Sequence, residues 1–160
     1  MGPFLAANDW DLAKLRGIAN YQFGKGLGEV LFPRRIEVVR SRRTRRIRHV
    51  YLNGKLIATL RPSDGLLALT IHGAKMVASK SSRVPRVVVR SDIGPFVEVG
   101  RNVFAKHVVD AVESIRPQDE VIVSDASGKL VAVGRAAMSG GEMLSFKSGV
   151  AVRVRKGVKE

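Results

Sequence analysis

In Val99-Gly100-Arg101-Asn102-Val103-Phe104-Ala105-Lys106-His107-Val108 a glycine separates an apolar segment from a polar pair and a second apolar run. A glycine in that position marks the end of a helix, because it takes up a left-handed backbone without a Cβ penalty. Arg101 and Asn102 then form an exposed turn, and the alternation after them predicts a strand from Asn102 to Val108 that returns to a core. By that alternation Phe104 falls in the core rather than on a base-stacking platform, since a strand must bury one face.

The elements around this turn are short and punctuated by glycine. Arg86 to Arg90 reads as a strand and Ile93 to Val99 as a helix or tight turn. Pro117 sets a turn before strand Glu120 to Asp125, and Ser127-Gly128 turns it into Leu130 to Ala137. Gly134, in mid-strand, marks a bulge or the close approach of another backbone. Ser139 and Glu142 have capping-box spacing for a helix through Phe146, and Gly149 leads into a last strand, Val150 to Arg155. Short strands with two short helices predict a small, partly closed β-barrel.

Upstream, Lys80-Ser81-Ser82-Arg83-Val84-Pro85 is polar, serine-rich and closed by proline, which predicts two domains, residues 1–80 and 84–160. Asn8 can cap a helix from Asp9 to Gln22 that Gly24, Gly26 and Gly28 end; Leu12, Leu15, Ile18 and Ala19 share its packed face. The spacing of those glycines is not a phosphate loop, since no strand precedes it and no Gly-Lys-Ser/Thr follows. Asn53-Gly54 predicts a two-residue type I′ hairpin. Its register places Tyr51 opposite Leu56, His49 opposite Ala58 and Ile47 opposite Leu60 on a core face, with the Asp9–Gln22 helix packed on that sheet. Leu66 to Ile71 reads as a third strand and Gly73 to Ala78 as a short helix. The first domain is thus α+β.

Charge is uneven along the chain. Residues 1–83 hold sixteen basic and five acidic side chains, and residues 84–160 twelve and nine, within a net +14. Such an asymmetry points to a polyanionic partner met mainly by the first half. Eight arginines, at positions 34, 35, 40, 42, 43, 45, 46 and 48, crowd a segment whose one acid is Glu37. A surface charge network needs both signs, so the run fits nucleic acid better than a stabilising network. Arg42, Arg43, Arg45, Arg46 and Arg48 fall on a hairpin tip or its flank.

With 6% aromatic residues, rows of stacked rings for single strands are not expected. The absence of cysteine excludes thiolate metal sites, disulfides and cysteine nucleophiles. His49, His72 and His107 form no metal constellation by spacing, and Asp64, Asp119 and Glu120 lie in turns where nothing adjacent would hold a raised pKa. No metal, cofactor or catalytic residue is expected. The N-terminus lacks a signal peptide, and no apolar run is long enough for a membrane span, so a cytoplasmic protein without a membrane partner is expected.

Gly100-Arg101-Asn102-Val103-Phe104-Ala105-Lys106, Arg116-Pro117-Gln118-Asp119-Glu120-Val121 and Ala132-Val133-Gly134-Arg135-Ala136 resemble the PUA domain of archaeosine tRNA-guanine transglycosylases. Lys14 to Gly24, Leu31-Phe32-Pro33, Thr44 to Arg48 and Leu60 to Gly65 resemble the small α+β domain before it in the same family. No stretch corresponds to the family's catalytic barrel with its aspartates and zinc cysteines. The resemblance implies a PUA-type β pseudo-barrel after an α+β domain, binding structured RNA, most simply the tRNA acceptor stem and 3′-CCA end. It implies no chemistry by this chain alone, but an accessory role beside a separate tRNA-modifying catalytic protein. A translation factor that holds tRNA on the small ribosomal subunit is the alternative. By the same resemblance Gly100, Arg101 and Asn102 form the RNA-facing loop, Phe104 and Lys106 follow on the next strand, and Gly134, Arg135 and Arg153 complete the surface.

Overall fold

In the computed structural model, which describes residues 2–160, Asn8 starts the first long helix, α1 (Asp9–Phe23). Its side-chain oxygen accepts from the Asp11 N–H at 2.8 Å, while the Asn8 N–H donates to the Asp11 carboxylate at 3.3 Å. This reciprocal box satisfies two donors that a helix start leaves open. Leu12, Leu15, Ala19 and Phe23 form the buried face. The glycines beyond it do more than end the helix. They build a second one, α2 (Leu27–Leu31), opened by Gly26 at φ 88°. A Cβ on Gly28 would lie 2.4 Å from the Arg16 carbonyl oxygen, so only glycine lets α2 pack this closely on α1.

The chain divides into two compact units, one up to Lys80 and one from Ser81 to Glu160. In the first, strands β1 (Leu5–Ala6), β2 (Glu37–Arg40), β3 (Ile47–Leu52), β4 (Lys55–Leu60) and β5 (Leu67–Leu69) form one antiparallel sheet in that order. Helix α3 (Ile71–Ala78) follows, with Thr70 as its cap. Asn53 and Gly54 take φ of 52° and 78°, as a type I′ turn requires, and the pairs Leu52–Lys55 and Tyr51–Leu56 follow. Beyond them the expected register fails. The next pairs are Val50–Ala58 and His49–Thr59, because Ile57 is inserted as a bulge.

The core face is therefore the row Val38, Val50, Ala58 and Leu69, each at most 2% exposed, and not the face of Tyr51 and His49. Tyr51 is half-buried, with the exposed Phe4 ring 4.7 Å away. The bulge also has a use. It leaves the Ile57 carbonyl to accept from the Thr70 N–H at 3.2 Å, and a Cβ on Gly73 of α3 would meet that oxygen at 2.1 Å.

The second unit contains β6 (Arg86–Val89), α4 (Gly94–Glu98), β7 (Val103–Phe104), a 3₁₀ turn (Ala105–His107), β8 (Val108–Ala111), β9 (Glu120–Asp125), β10 (Leu130–Ala136), α5 (Gly140–Ser145) and β11 (Val150–Gly157). The single strand expected from Asn102 to Val108 is thus two strands joined by three residues. Those two strands occupy the opposite edges of the sheet, whose order is β7-β11-β10-β9-β6-β8. A three-residue link reaches about 10 Å, so the sheet has to curl until its edges nearly meet. The result is a nearly closed barrel, as the resemblance to PUA domains implies, in an α+β protein.

Strand β6 runs parallel to β9, and the remaining pairs are antiparallel. Val87, Val89, Val103, Val121, Val123, Val131 and Val152 fill the interior, and Met143 of α5 plugs it. Burying each valine contributes about 1.5–3 kcal/mol. Among the described residues no helix is long and apolar enough to cross a membrane.

Candidate nucleic-acid interface

The arginine run folds into the turn between β2 and β3. The Ser41 N–H donates to the Arg46 carbonyl at 2.9 Å and the Arg45 N–H to the Ser41 carbonyl at 2.8 Å, which closes the loop without any side-chain anchor from an arginine at positions 42, 43, 45 or 46. All four are exposed. No carboxylate among the described residues pairs with them, whereas Arg40 donates to Asp11 at 2.6 Å and Arg34 lies 3.7 Å from Asp9. The run thus separates by function: Arg40 holds the sheet to α1, and the tip carries free positive charge. Arg45 has φ 64°, a left-handed backbone that a side chain rarely adopts.

Helix α1 adds a second surface. Trp10 and Tyr21 are each 81% exposed, and with Lys14 between them they form one stripe, because steps of four and seven residues return to the same face. The packed face of α1 was legible in the sequence; this stripe is its complement and could have been read from the same spacing. Lys14 lines a pocket with Arg46 and Arg48, so the stripe adjoins the arginine hairpin. His49, on β3, is held below its ordinary value first by burial and then by the charge of Arg48.

In the second unit, Gly100 follows α4 at φ 102°, its N–H donating to the Val97 carbonyl at 2.9 Å. Arg101 and Asn102 are exposed beside it. The Asn102 side chain accepts from the Val154 N–H at 3.0 Å, which ties this loop to β11. Val154 is also the cross-strand partner of Gly134, and Arg153 that of Arg135. Asn102, Gly134, Arg135 and Arg153 are therefore neighbours along the β10–β11 pair, while Gly100, two residues before Asn102, lies against the Glu160 side chain. Arg135 reaches the Gln118 carboxamide oxygen at 3.5 Å, and Gln118 itself takes φ 78°.

Gly134 is buried, the β10–β11 register shifts beside it, and a Cβ on it would lie 2.2 Å from the Arg153 carbonyl oxygen, so the bulge and the close backbone approach expected at this glycine are both present and the approaching backbone is that of strand β11. One expectation needs correction here. Phe104 is 43% exposed and not in the core; Val103 takes the inward position, and the Phe104 ring stands edge-on to His107 at 6.4 Å. Phe104 pairs with Val150, three residues and about 10 Å along β11 from Arg153, and the exposed Lys106 follows in the 3₁₀ turn. His107 is held below its ordinary value by burial first, then by Arg90 and Lys106.

Residues 13–90 match the family described as the patch-forming domain C2 of tRNA-guanine transglycosylase, and residues 85–158 match the PUA domain. The chain is 43% identical over 149 residues to the tRNA-guanine(15) transglycosylase of Methanothermobacter thermautotrophicus, covering 92% of this chain and 23% of that protein. It is 45% identical over 145 residues to that of Thermococcus kodakarensis, covering 89% and 24%. The chain thus spans about a quarter of the length of the curated relatives it matches. The crystal structure of a hypothetical protein from Pyrococcus horikoshii superimposes with a TM-score of 0.80 at 23% identity, covering 99% of this chain and 96% of the other, a likeness of fold. The two units carry the C2 domain of tRNA-guanine transglycosylases followed by a PUA domain, which is an RNA-binding fold.

Proposed function

We propose that the chain binds tRNA at its acceptor stem and 3′-CCA end, as an accessory to a tRNA-modifying catalytic protein. The observation that carries this reading is the unpaired arginine tip, Arg42, Arg43, Arg45 and Arg46, in a unit of transglycosylase C2 type. Four exposed guanidinium groups without carboxylates attract a phosphate backbone and release its counterions on binding. Phosphate contacts position an RNA but do not distinguish its features. End recognition belongs in this reading to the second unit, where Arg101 lies in the glycine loop, Arg135 and Arg153 face each other across the β10–β11 pair that Asn102 joins, and Phe104 and Lys106 offer a ring and a charge. The division of the chain at residues 80–84 is thereby also a division of labour.

Titration of labelled tRNA at several salt concentrations tests the reading. Each phosphate neutralised should contribute roughly 0.7–0.9 to the slope of log affinity against log salt. Replacing Arg42, Arg43, Arg45 and Arg46 by alanine should lower that slope by about 3. An unchanged slope would remove the hairpin from the interface.

A further inference from the structure

The first unit contains a concave site of about 290 Å³ between α1, the arginine hairpin and the turn after β4. Four cationic side chains, Lys14, Arg46, Arg48 and Arg61, line it together with Ile47 and Leu60, and no carboxylate does. Asp64 pairs with Arg61 at 3.3 Å from the side of that turn and offsets one of the four charges. Arg48 is the informative group: its Nε is shut off from water and donates to no acceptor. A guanidinium removed from water at its Nε without an acceptor there is a costly arrangement, and an anion in the cavity would offset the charge that is left partly buried. Convergent cations repel one another, and apolar walls strengthen that repulsion by lowering the local dielectric. Arg42, Arg43 and Arg45 of the tip do not line this cavity and can spread into solvent.

We propose that this pocket is a binding site for a phosphate group. Its volume leaves room beside the phosphate for the sugar that carries it, and the planar Arg48 fork suits phosphate oxygens. The phosphate comes either from the RNA or free from solution. Only the first source rests on the RNA-binding function proposed above.

Calorimetric titration of the full chain with inorganic phosphate, against chloride of matched ionic strength, tests the site. Saturable binding is expected, weakened about tenfold in Lys14→Ala and in Arg48→Met and left within about twofold by Arg42→Ala with Arg43→Ala. Lys14 is exposed, so its replacement keeps the fold even where Arg48→Met disturbs the hairpin. No saturable binding, or equal binding in Lys14→Ala and the unchanged protein, would overturn the proposal. Displacement of labelled tRNA then separates the sources. If phosphate weakens tRNA binding more than chloride does, and this excess disappears in Lys14→Ala, the phosphate is RNA-borne. If phosphate binds the pocket and leaves tRNA affinity as in chloride, the site takes free phosphate. Phosphate binding as expected with no tRNA binding at all would sink the RNA function and support the pocket.

Discussion

Single residues in this chain show opposite uses of the same side chain. Gly17 lies in the exposed middle of α1, and a Cβ there would meet nothing within 4 Å. Gly17→Ala should stabilise the first unit by about 0.5–1 kcal/mol, because alanine loses less backbone entropy in a helix. Gly134→Ala should instead destabilise the second unit by about 1–3 kcal/mol, the ordinary range for forcing an extra carbon into a packed site. Urea melts of both variants check the two signs; a neutral Gly134→Ala would return that glycine to the RNA surface. Glu98 is a third instructive residue, 3% exposed and ion-paired with Lys129 and Lys159 at 2.9 Å each. Lys129 first, then Lys159, holds its carboxyl below the ordinary value of 4.5. A group with a lowered folded pKa contributes stability that is present above its unfolded pKa and lost as pH falls through the folded one. The second unit should therefore weaken as pH drops below about 4.5, and Glu98→Gln should flatten that part of the stability profile. An unchanged acid limb in that variant would assign the loss to other carboxylates, such as Asp92 and Asp125, which are also held low.

At the scale of elements, local chemistry was legible and long-range pairing was not. Asn8 with Asp11 and Ser139 with Glu142 are capping boxes in sequence and in structure, and Asn53-Gly54 makes its turn, since each signal acts within four residues. The bulge at Ile57 left no such trace, because it is fixed by α3 docking from fourteen residues away, through Thr70 and the Leu56 carbonyl. Strand β8 hid inside an apolar run, since its partner β6 and the barrel's other edge lie elsewhere in the chain. The same limit applies to the candidate site. The arginine tip is one contiguous segment and could be read directly, while Lys14 and Arg61 join Arg48 only through the fold. Within the tip, Arg45 keeps a strained backbone that glycine would relieve. Arg45→Gly should raise the unit's stability by about 0.5–1 kcal/mol while lowering the tRNA salt slope by about 1. Both measurements moving in the same direction would mean that the arginine is retained for the fold and not for a phosphate.

For the whole molecule, the distribution of charge separates affinity from recognition. Residues 1–83 hold sixteen of the 28 basic side chains but only five of the fourteen acids, whereas the second half is close to balanced. Several of the cations in that second half are already committed: Arg155 Nη1 donates to the buried Glu120 at 2.9 Å, Lys129 and Lys159 hold Glu98, and Arg90 is paired with Asp92. On the proposed function, long-range attraction for a polyanion comes mainly from the first unit, and the second contributes shape and a few placed groups. The two contributions should come apart by mutation. Arg101 is exposed beside the glycine loop and makes no side-chain bond among the described residues, so Arg101→Ala leaves the barrel intact. In that variant the affinity difference between a tRNA ending in CCA and one lacking those nucleotides should disappear, while the salt slope changes by no more than about 1. The quadruple arginine variant of the hairpin should do the reverse, losing slope and keeping the difference. Discrimination that survives Arg101→Ala and falls with the hairpin would place end recognition in the first unit and leave the PUA domain to grip the stem.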